Sequence, residues 1–228
     1  MTDTALSPTA RSTIRRRKER AVIDRAALYR ILDAGLVCHL AVMVDGAPLV
    51  LPTGYGRDEH TLYLHGSTGA VSLRSADGAN MCVVVTLLDG LVYARSVFHH
   101  SFNYRSAVVH GIARTLADAE KMHGLRVITE HLAPGSWGHA RLPNPKELAM
   151  TAVLALDLTE ASVKVRAGGP GDEDDDAQVN TAWAGVLPIE TRWGATIPDA
   201  ARPPAIAPPD HVTRRAGGTL YAPDYAPD

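Results

Sequence analysis

Apolar residues recur along the first two thirds of the chain in short runs, each bounded by glycine, proline or aspartate. The density and alternation of these runs are typical of β-strands. They cover residues 36–44, 47–56, 60–66, 81–88, 91–98, 103–116 and, as one long strand or a pair, 151–166. Asp-Gly pairs at 45–46 and 89–90 separate neighbouring runs, which is a strong signal for tight hairpins. The pattern therefore predicts six or seven strands joined by hairpins.

Three segments instead carry the start, period and stop signals of helices. They are a helix capped by Asp24 and ended by Gly35, one over about 68–76 capped by Ser67, and one over about 119–132 capped by Asp118. Residues 136–147 contain two prolines and are predicted to be a loop. Three helices beside this many strands indicate a mainly β protein, an antiparallel barrel or sandwich with peripheral helices.

Composition narrows the class of protein without naming it. The net charge of −2 gives no global basic field, so nucleic acid is not an expected partner. No run approaches the roughly 20 apolar residues that cross a bilayer, and no signal peptide is visible. Cys38 and Cys82 lie in apolar runs and are expected to be free thiols, not a disulfide or a metal pair. We therefore expect a soluble cytoplasmic protein.

The two ends of the chain differ from the middle. Residues 1–20 end in a run of arginines and a lysine and are predicted to be a flexible basic arm. Residues 168–176 are predicted to be an acidic loop, and residues 198–228 a Pro/Ala-rich tail without a ladder or core. The predicted domain spans residues 21–197.

Candidate chemistry is concentrated in residues 62–74 and 96–111. The first stretch contains His65-Gly66-Ser67-Thr68-Gly69 before a predicted helix, with Arg74 two turns further on. Free backbone N–H groups and hydroxyls at such a position form a plausible phosphate cradle. An ordinary strand-to-helix turn capped by Ser67 explains the same pattern slightly better. The pattern alone does not choose a ligand.

The second stretch contains His99-His100 and Asn103-Tyr104-Arg105-Ser106. Adjacent strand residues point to opposite faces, so the two histidines do not form a metal site, and none is predicted. The polar groups suit the edge of a ring system, and Arg105 could bind a phosphate with two hydrogen bonds. A solvated edge strand explains them equally well.

The order of these segments resembles the pyridoxamine 5′-phosphate oxidase-related proteins, within them the flavin-nucleotide-binding, nitroimidazole-resistance-like branch. The similar segments are AGLVCHLAV, DGAPLVLPTGYG, LYLHGS, LLDGLVYARSVFHHSFNYRSAVVHG, SVKVRAGGP and WAGVLP, from about Arg15 to Ile197. This resemblance implies an antiparallel, Greek-key-like split β-barrel that binds FMN in two symmetric clefts of a homodimer. FAD, a deazaflavin or haem rank behind FMN.

The resemblance also implies roles for individual residues. Backbone around Pro52, Thr53 and Gly54 would meet the pyrimidine side of the flavin. The remaining cofactor-binding candidates are His65, Gly66 and Ser67 for the ring and ribityl chain, Ser72 and Arg74 towards the phosphate, Arg105 and Ser106 from the long strand across the dimer, and Trp183 as a cover. A basic residue that many relatives carry is replaced here by Ala70-Val71, which places more of the phosphate binding on Arg74 and Arg105.

Two functions remain open from the sequence. The first is an FMN-binding oxidoreductase that acts on a small electron-poor substrate, with His65 as the catalytic proton donor or simply packed on the ring. The alternative is a non-catalytic protein of the same fold that binds or senses flavin or holds haem. The Trp/Arg pattern with which the true oxidases hold their substrate has no clear counterpart here, so vitamin B6 synthesis is not expected.

Overall fold

The computed structural model describes residues 5–6, 9–179, 182–199 and 206–223. The chain folds into two compact units, each made of two separate segments of sequence. The first unit is Met1–Leu87 with Arg105–Val165, and the second is Leu88–Tyr104 with Arg166–Asp228. The predicted domain of residues 21–197 includes parts of both units.

The described residues form twelve strands, six α-helices and two short 3₁₀-helices, Lys18–Arg20 and Val97–His99. The helices are α1 (Arg25–Ala34), α2 (Val71–Ala76), α3 (Asp118–Leu132), α4 (Pro145–Met150), α5 (Asp174–Val179) and α6 (Asp210–Thr213). The strands are β1 (Ala21–Val22), β2 (Val37–Val44), β3 (Ala47–Asp58), β4 (Thr61–Ser67), β5 (Asn80–Tyr93), β6 (Ser101–Ile112), β7 (Arg114–Thr115), β8 (Thr151–Asp157), β9 (Ala161–Arg166), β10 (Gly185–Pro188), β11 (Thr191–Arg192) and β12 (Thr219–Tyr221).

Antiparallel pairing joins the strands of the first unit in the order β1-β9-β6-β5-β2-β3-β4-β8-β7. One residue, Ala113, links β6 to β7, which lies at the far end of this order. The sheet therefore curls back towards β6, and the predicted mainly antiparallel barrel is confirmed. The ends of β5 and β6, residues 88–93 and 101–104, belong to the second unit.

The core of the first unit is apolar and is filled from several strands and one helix. Leu62 and Leu64 of β4 and Leu156 of β8 are fully or almost fully buried. Helix α1 adds Leu28 and Leu32 from the face that its period predicts. Its start is also as predicted, because the Asp24 side chain accepts a hydrogen bond from the Ala26 N–H.

The two Asp-Gly pairs have different outcomes. Asp45 and Gly46 have φ of 49° and 77°, as a tight hairpin turn requires, and they join β2 to β3. The hairpin predicted at Asp89-Gly90 is wrong, because β5 continues through both residues. Strand β10 pairs with this part of β5, and the Asp89 carbonyl accepts from the Ile189 N–H at 3.0 Å.

Other predicted boundaries also change. Helix α2 begins at Val71 after Ala70, not at residue 68 after a Ser67 cap. The predicted loop of residues 136–147 includes the start of α4, which Asn144 and Glu147 begin with a reciprocal capping box. The predicted tail includes α6 and β12, and β12 pairs with β11.

Candidate functional site

Two of the predicted cofactor-binding segments begin at the same end of the β3–β4 ladder in the first unit. Pro52, Thr53 and Gly54 occupy the middle of β3, where they pair with β2. The pairing of β3 with β4 ends at Tyr55 and Leu64, so Gly54 and His65 are the first residues beyond this end of the ladder. The structure therefore places Gly54 and His65 at one end of the ladder, which the sequence spacing alone does not show.

Helix α2 packs against this part of β4 through a close contact at Gly66. A Cβ atom on Gly66 would come within 2.7 Å of Leu73 Cδ1, so a larger residue would have to displace the Leu73 side chain. Helix α2 also contains the two residues that were predicted to lie near the phosphate of the cofactor. Ser72 is buried and Arg74 is exposed. Both stay candidates, and the guanidinium of Arg74 is accessible to an anion.

The amide N–H groups that the predicted phosphate cradle would use are occupied within the chain. The Thr68 N–H donates to the Met150 carbonyl at 3.0 Å and the Ala70 N–H to the Ser67 carbonyl at 2.9 Å. The Gly69 N–H donates to Ser67 Oγ at 3.1 Å. These bonds support the ordinary strand-to-helix turn as the explanation of the local sequence. An anion here would depend on Arg74 more than on these amides.

His65 is the predicted proton donor. It lies on the same face of β4 as Tyr63, and it pairs with Val153 of β8. Its side chain is exposed to solvent, yet burial of part of the ring by neighbouring atoms lowers the pKa of His65 from the ordinary value of 6.5. The imidazole is therefore neutral at physiological pH, and it can both accept and donate a proton.

The C-terminal end of α3 closes one side of the first segment, which the sequence did not indicate. A Cβ atom on Gly54 would lie 2.9 Å from Leu132 Cδ1. The preceding residue, His131, hydrogen-bonds through Nε2 to the Gly35 carbonyl at 2.7 Å. The buried Tyr55 hydroxyl donates to the carbonyls of Leu32 and Gly35 at 2.6 and 2.9 Å. No local motif predicts these bonds, because they join α1, β3 and α3.

Arg105 and Ser106 lie on β6, and the sheet order places β5 and β2 between β6 and β3. The Ser106 hydroxyl donates to the Lys164 carbonyl of β9 at 3.3 Å. Consecutive strand residues point to opposite faces, and Arg105 shares the alternation of buried Ala107. The two residues therefore cannot contact one ligand from a single face of one chain. Their predicted contribution across a dimer stays a prediction.

The second unit contains Trp183, the predicted cover of the site. Its side chain is 67% exposed, and its ring centroid lies 5.8 Å from that of Tyr93. Phe98 and Phe102 of the same unit are also exposed. This unit therefore presents aromatic surface to solvent.

The adjacent histidines of the second unit differ in their hydrogen bonds. His100 Nδ1 accepts from the Ala94 N–H at 3.1 Å, so the proton of the neutral ring lies on Nε2. His99 Nε2 lies 3.9 Å from a Glu173 carboxylate oxygen. A neutral imidazole binds a metal through an unprotonated nitrogen, which makes His99 the better donor of the two.

Ion pairs fix the chain around these histidines. Asp172, predicted to lie in a flexible acidic loop, accepts from the Arg95 N–H at 2.7 Å and from its guanidinium at 2.9 Å. Arg166 donates to the Gly168 and Gly169 carbonyls and to Oδ1 of buried Asn103. The Asn103 side chain donates in turn to the Gly168 carbonyl at 3.1 Å. The start of the acidic loop is therefore ordered.

Within the described residues, no group of three or more His, Cys, Asp or Glu could hold a metal ion. Cys38 and Cys82 are free thiols, as predicted, and burial raises the pKa of Cys38 to about 12. Among the helices of the described chain, none has the length and apolar character needed to cross a membrane.

Comparison with known families gives one match of sequence. Residues 24–165 match the family described as pyridoxamine 5′-phosphate oxidase, which is more than half of the chain. No curated protein sequence matches. The matched range covers the candidate residues of β3, β4, α2 and β6, and it ends before Trp183.

Comparison with solved structures gives two relatives of nearly full length. The flavocytochrome Anf3 from Azotobacter vinelandii is 34% identical, with a TM-score of 0.87, over 93% of this chain and 100% of that one. An FAD and haem binding protein from Mycobacterium smegmatis is 37% identical, with a TM-score of 0.84, over 88% and 98%. A 5-nitroimidazole antibiotic resistance protein from Bacteroides thetaiotaomicron, 21% identical with a TM-score of 0.54 over 64% and 86%, shares the fold.

Proposed function

This chain belongs to the pyridoxamine 5′-phosphate oxidase family, and on that premise we propose that it is a redox protein that binds a flavin and a haem. The observation that carries the proposal is the near-complete coverage of two relatives named for such cofactors. Both relatives cover most of this chain, so they extend beyond the family match at residue 165. The flavin predicted from the sequence was FMN. We propose FAD instead, because one relative is named for it.

The flavin would be held by the first unit. Gly54 and His65 lie just beyond the same end of the β3–β4 ladder, and the side chains of Leu132 and Leu73 pack against the backbone at Gly54 and Gly66. The exposed guanidinium of Arg74 would pair with a phosphate of the nucleotide. A bound flavin supplies hydride or electron transfer. His65, neutral and partly exposed, would hold or deliver a proton beside it.

The haem would be held by the second unit. Its exposed aromatic side chains, among them Phe98 and Trp183, offer the apolar surface that a porphyrin needs. His99 would hold the haem iron through its imidazole, because the Nδ1 atom of His100 already accepts a backbone hydrogen bond. The haem would add one-electron chemistry to that of the flavin.

We propose a homodimer as the functional form. Within the first unit, the outward face of the β2–β3 hairpin pairs Ala41 with Val50 and Met43 with Pro48. Val37, Met43 and Val50 are each more than half exposed. An apolar face of this kind on a soluble protein is typical of an interface. Light scattering should give the mass of a dimer, and Val50→Asp should give a monomer with reduced flavin content.

Variants that separate the two cofactors test the proposed function. In the purified protein, His99→Ala should remove the Soret absorption of haem and leave the flavin band unchanged. Arg74→Gln should weaken flavin binding about tenfold, the loss of one charge-assisted bond, and leave the haem unchanged. His123→Ala is the matched control, because His123 pairs with Asp58 at the hairpin end of β3. A Soret band that survives in His99→Ala would contradict the assignment of the ligand.

Anaerobic reduction and reoxidation of the purified protein distinguish an oxidoreductase from a binding protein. NADH, NADPH or dithionite would be added without oxygen, and an electron acceptor would follow. Repeated reduction and reoxidation of the bound flavin supports the oxidoreductase. Stable binding without turnover by any donor supports a flavin-storing or flavin-sensing protein.

A further inference from the structure

A compact cluster of cations follows the turn at residues 10–12. Five of the six residues 15–20, here called the cationic turn, are basic, and Glu19 is the sixth. All are exposed except the half-buried Arg20. Within the part of the chain that the structure describes, Arg15, Arg16, Arg17 and Lys18 have no acidic partner, and Arg20 lies 4.0 Å from Glu19. The turn therefore presents a net charge of +4 to solvent.

The cationic turn is fixed in place, although the sequence predicted a flexible arm. Upstream, the Arg11 guanidinium binds both carboxylate oxygens of Glu160, at 2.8 and 2.6 Å, and Asn80 Oδ1 at 3.0 Å. Downstream, Ala21 and Val22 pair with β9. Between these anchors, Lys164 Nζ donates to the Arg16 carbonyl at 3.2 Å. The backbone that carries the cations is therefore held in place, and a partner that binds them does not have to order the segment first.

The anchor residue Lys164 connects the cationic turn to the strand that carries Ser106. Its ammonium binds the Arg16 carbonyl, and its own carbonyl accepts the Ser106 hydroxyl at 3.3 Å. Ser106 is a predicted cofactor-binding residue. A partner seated on the cationic turn would therefore lie one strand away from the strand that carries this candidate.

The charge of the rest of the chain restricts the partner. Without the five cations and one acid of the turn, 18 basic and 24 acidic residues remain, a net charge of −6. An extended polyanion such as duplex DNA or an anionic membrane would be repelled by this remainder. A small acidic protein can contact the turn without contacting the acidic remainder of the surface. Exposed Ile23, three residues beyond the turn, adds the apolar contact that protein interfaces combine with charge.

We propose that the cationic turn is the docking surface for a small acidic electron-transfer protein. This inference rests on the proposed redox function. The reduced carrier would give up one electron in each encounter and leave oxidised. Two encounters, with two protons from solvent, would fully reduce one bound flavin. Opposite charges would accelerate the encounter, and the acceleration would be lost at high salt.

Stopped-flow reduction of the holoprotein by a reduced acidic [2Fe–2S] ferredoxin tests this surface. The charge-reversed variant Arg15→Glu/Lys18→Glu should lower the second-order rate constant about tenfold or more at low salt. The matched control Arg126→Glu/Lys146→Glu reverses two exposed cations elsewhere in the first unit and should change the rate less than about twofold. Reduction by dithionite should be equal in all three proteins.

Several results would overturn the proposal. One is an equal loss of rate in both double variants. Another is a loss as large as with the ferredoxin in the rate at which the dithionite-reduced protein reduces the basic carrier ferricytochrome c. The proposal would also be overturned if the cationic turn bound duplex DNA or anionic vesicles more tightly than it binds the ferredoxin. If the purified protein holds no flavin or haem, its spectrum shows that the proposed function has failed. Calorimetric titration with the ferredoxin then tests the docking surface by itself.

Discussion

The two units of this protein are stabilised by different forces. The first unit buries leucine, valine and isoleucine side chains from its strands and helices around a barrel. In the described part of the second unit, Val92 and Ala94 are the buried apolar residues. Its chain is tied instead by Arg95 to Asp172 and by Arg166 to Asn103 and two glycine carbonyls.

This difference explains why the units were not equally predictable. Burial of apolar surface imposes a period on the sequence, and a period can be found by inspection. Hydrogen bonds from arginine to distant carbonyls and carboxylates leave no period. The same difference suggests that the units respond to different substitutions.

The largest expected effect is a cavity in the core of the first unit. Leu64→Ala removes a fully buried side chain of β4 and should lower the free energy of unfolding by about 2–5 kcal/mol. Chemical denaturation followed by far-ultraviolet circular dichroism measures the change. Leu142→Ala removes the same atoms from an exposed loop and should cost less than about 0.5 kcal/mol. Equal costs would contradict the account of the core.

A smaller and more local effect is expected in the second unit. Arg166→Gln replaces the guanidinium with a shorter side chain that cannot donate to the Asn103 Oδ1 atom and to the two carbonyls. Leaving a buried polar atom unpaired costs about 1–3 kcal/mol. Protease cleavage in residues 166–173 should accelerate about tenfold. The unfolding midpoint of the first unit should stay the same.

Arg141→Gln is the control for that substitution. Arg141 also donates three hydrogen bonds, two to Glu147 and one to the Leu142 carbonyl, but the Arg141 and Glu147 side chains are exposed. Exposed pairs contribute little to stability, so cleavage in residues 166–173 should not change. A loss of stability in the first unit on Arg166→Gln would contradict the separation of the two units.

The first unit also contains a buried polar group, the Tyr55 hydroxyl, within its apolar core. The buried Tyr55 hydroxyl donates to the carbonyls of Leu32 and Gly35, and burial raises its pKa above the ordinary value of 10. Tyr55→Phe should lower the free energy of unfolding by about 1–2 kcal/mol, because the Leu32 carbonyl loses this donor. That loss is smaller than the loss for Leu64→Ala. A neutral result in denaturation would show that water replaces the hydroxyl.

The smallest effect concerns pH and the pair that anchors the cationic turn. Hydrogen bonds from Arg11 and Thr9 lower the pKa of Glu160 from 4.5 to about 2. A lowered pKa stabilises the folded form above pH 4.5, and this contribution disappears as the pH falls from 4.5 towards 2. Carbon-13 NMR titration should give a midpoint near 2 in the wild type. In Arg11→Gln the midpoint should return towards 4.5, while His110 and Asn80 remain as neighbours.

The sequence predicted the elements that local rules control. Asp24 begins a helix, and Asp45-Gly46 forms a hairpin because both residues accept positive φ. Asp89-Gly90 has the same letters and forms no turn, because strand β10, almost a hundred residues later, extends the ladder through it. Turn propensity is a local preference, and pairing with a distant strand overrides it.

The candidate site likewise contains residues that the sequence indicated and residues that only the tertiary structure reveals. Residues 65–67 could be chosen from the sequence pattern and residues 52–54 from the family resemblance, and the β3–β4 register places Gly54 and His65 just beyond the same end of the ladder. The contribution of His131 and Leu132 could not be predicted, because it depends on how α3 crosses the sheet. The occupied amide of Thr68 was also hidden, since its partner is the distant Met150 carbonyl.

The absorption spectrum of the purified wild-type protein, with the masses of the released cofactors, tests the central claim most directly. The account predicts a flavin band and a Soret band together, and masses of FAD and haem. Released FMN would restore the flavin predicted from the sequence and overturn the choice of FAD. A colourless protein that stays colourless after incubation with FAD, FMN and haem would contradict the proposed function.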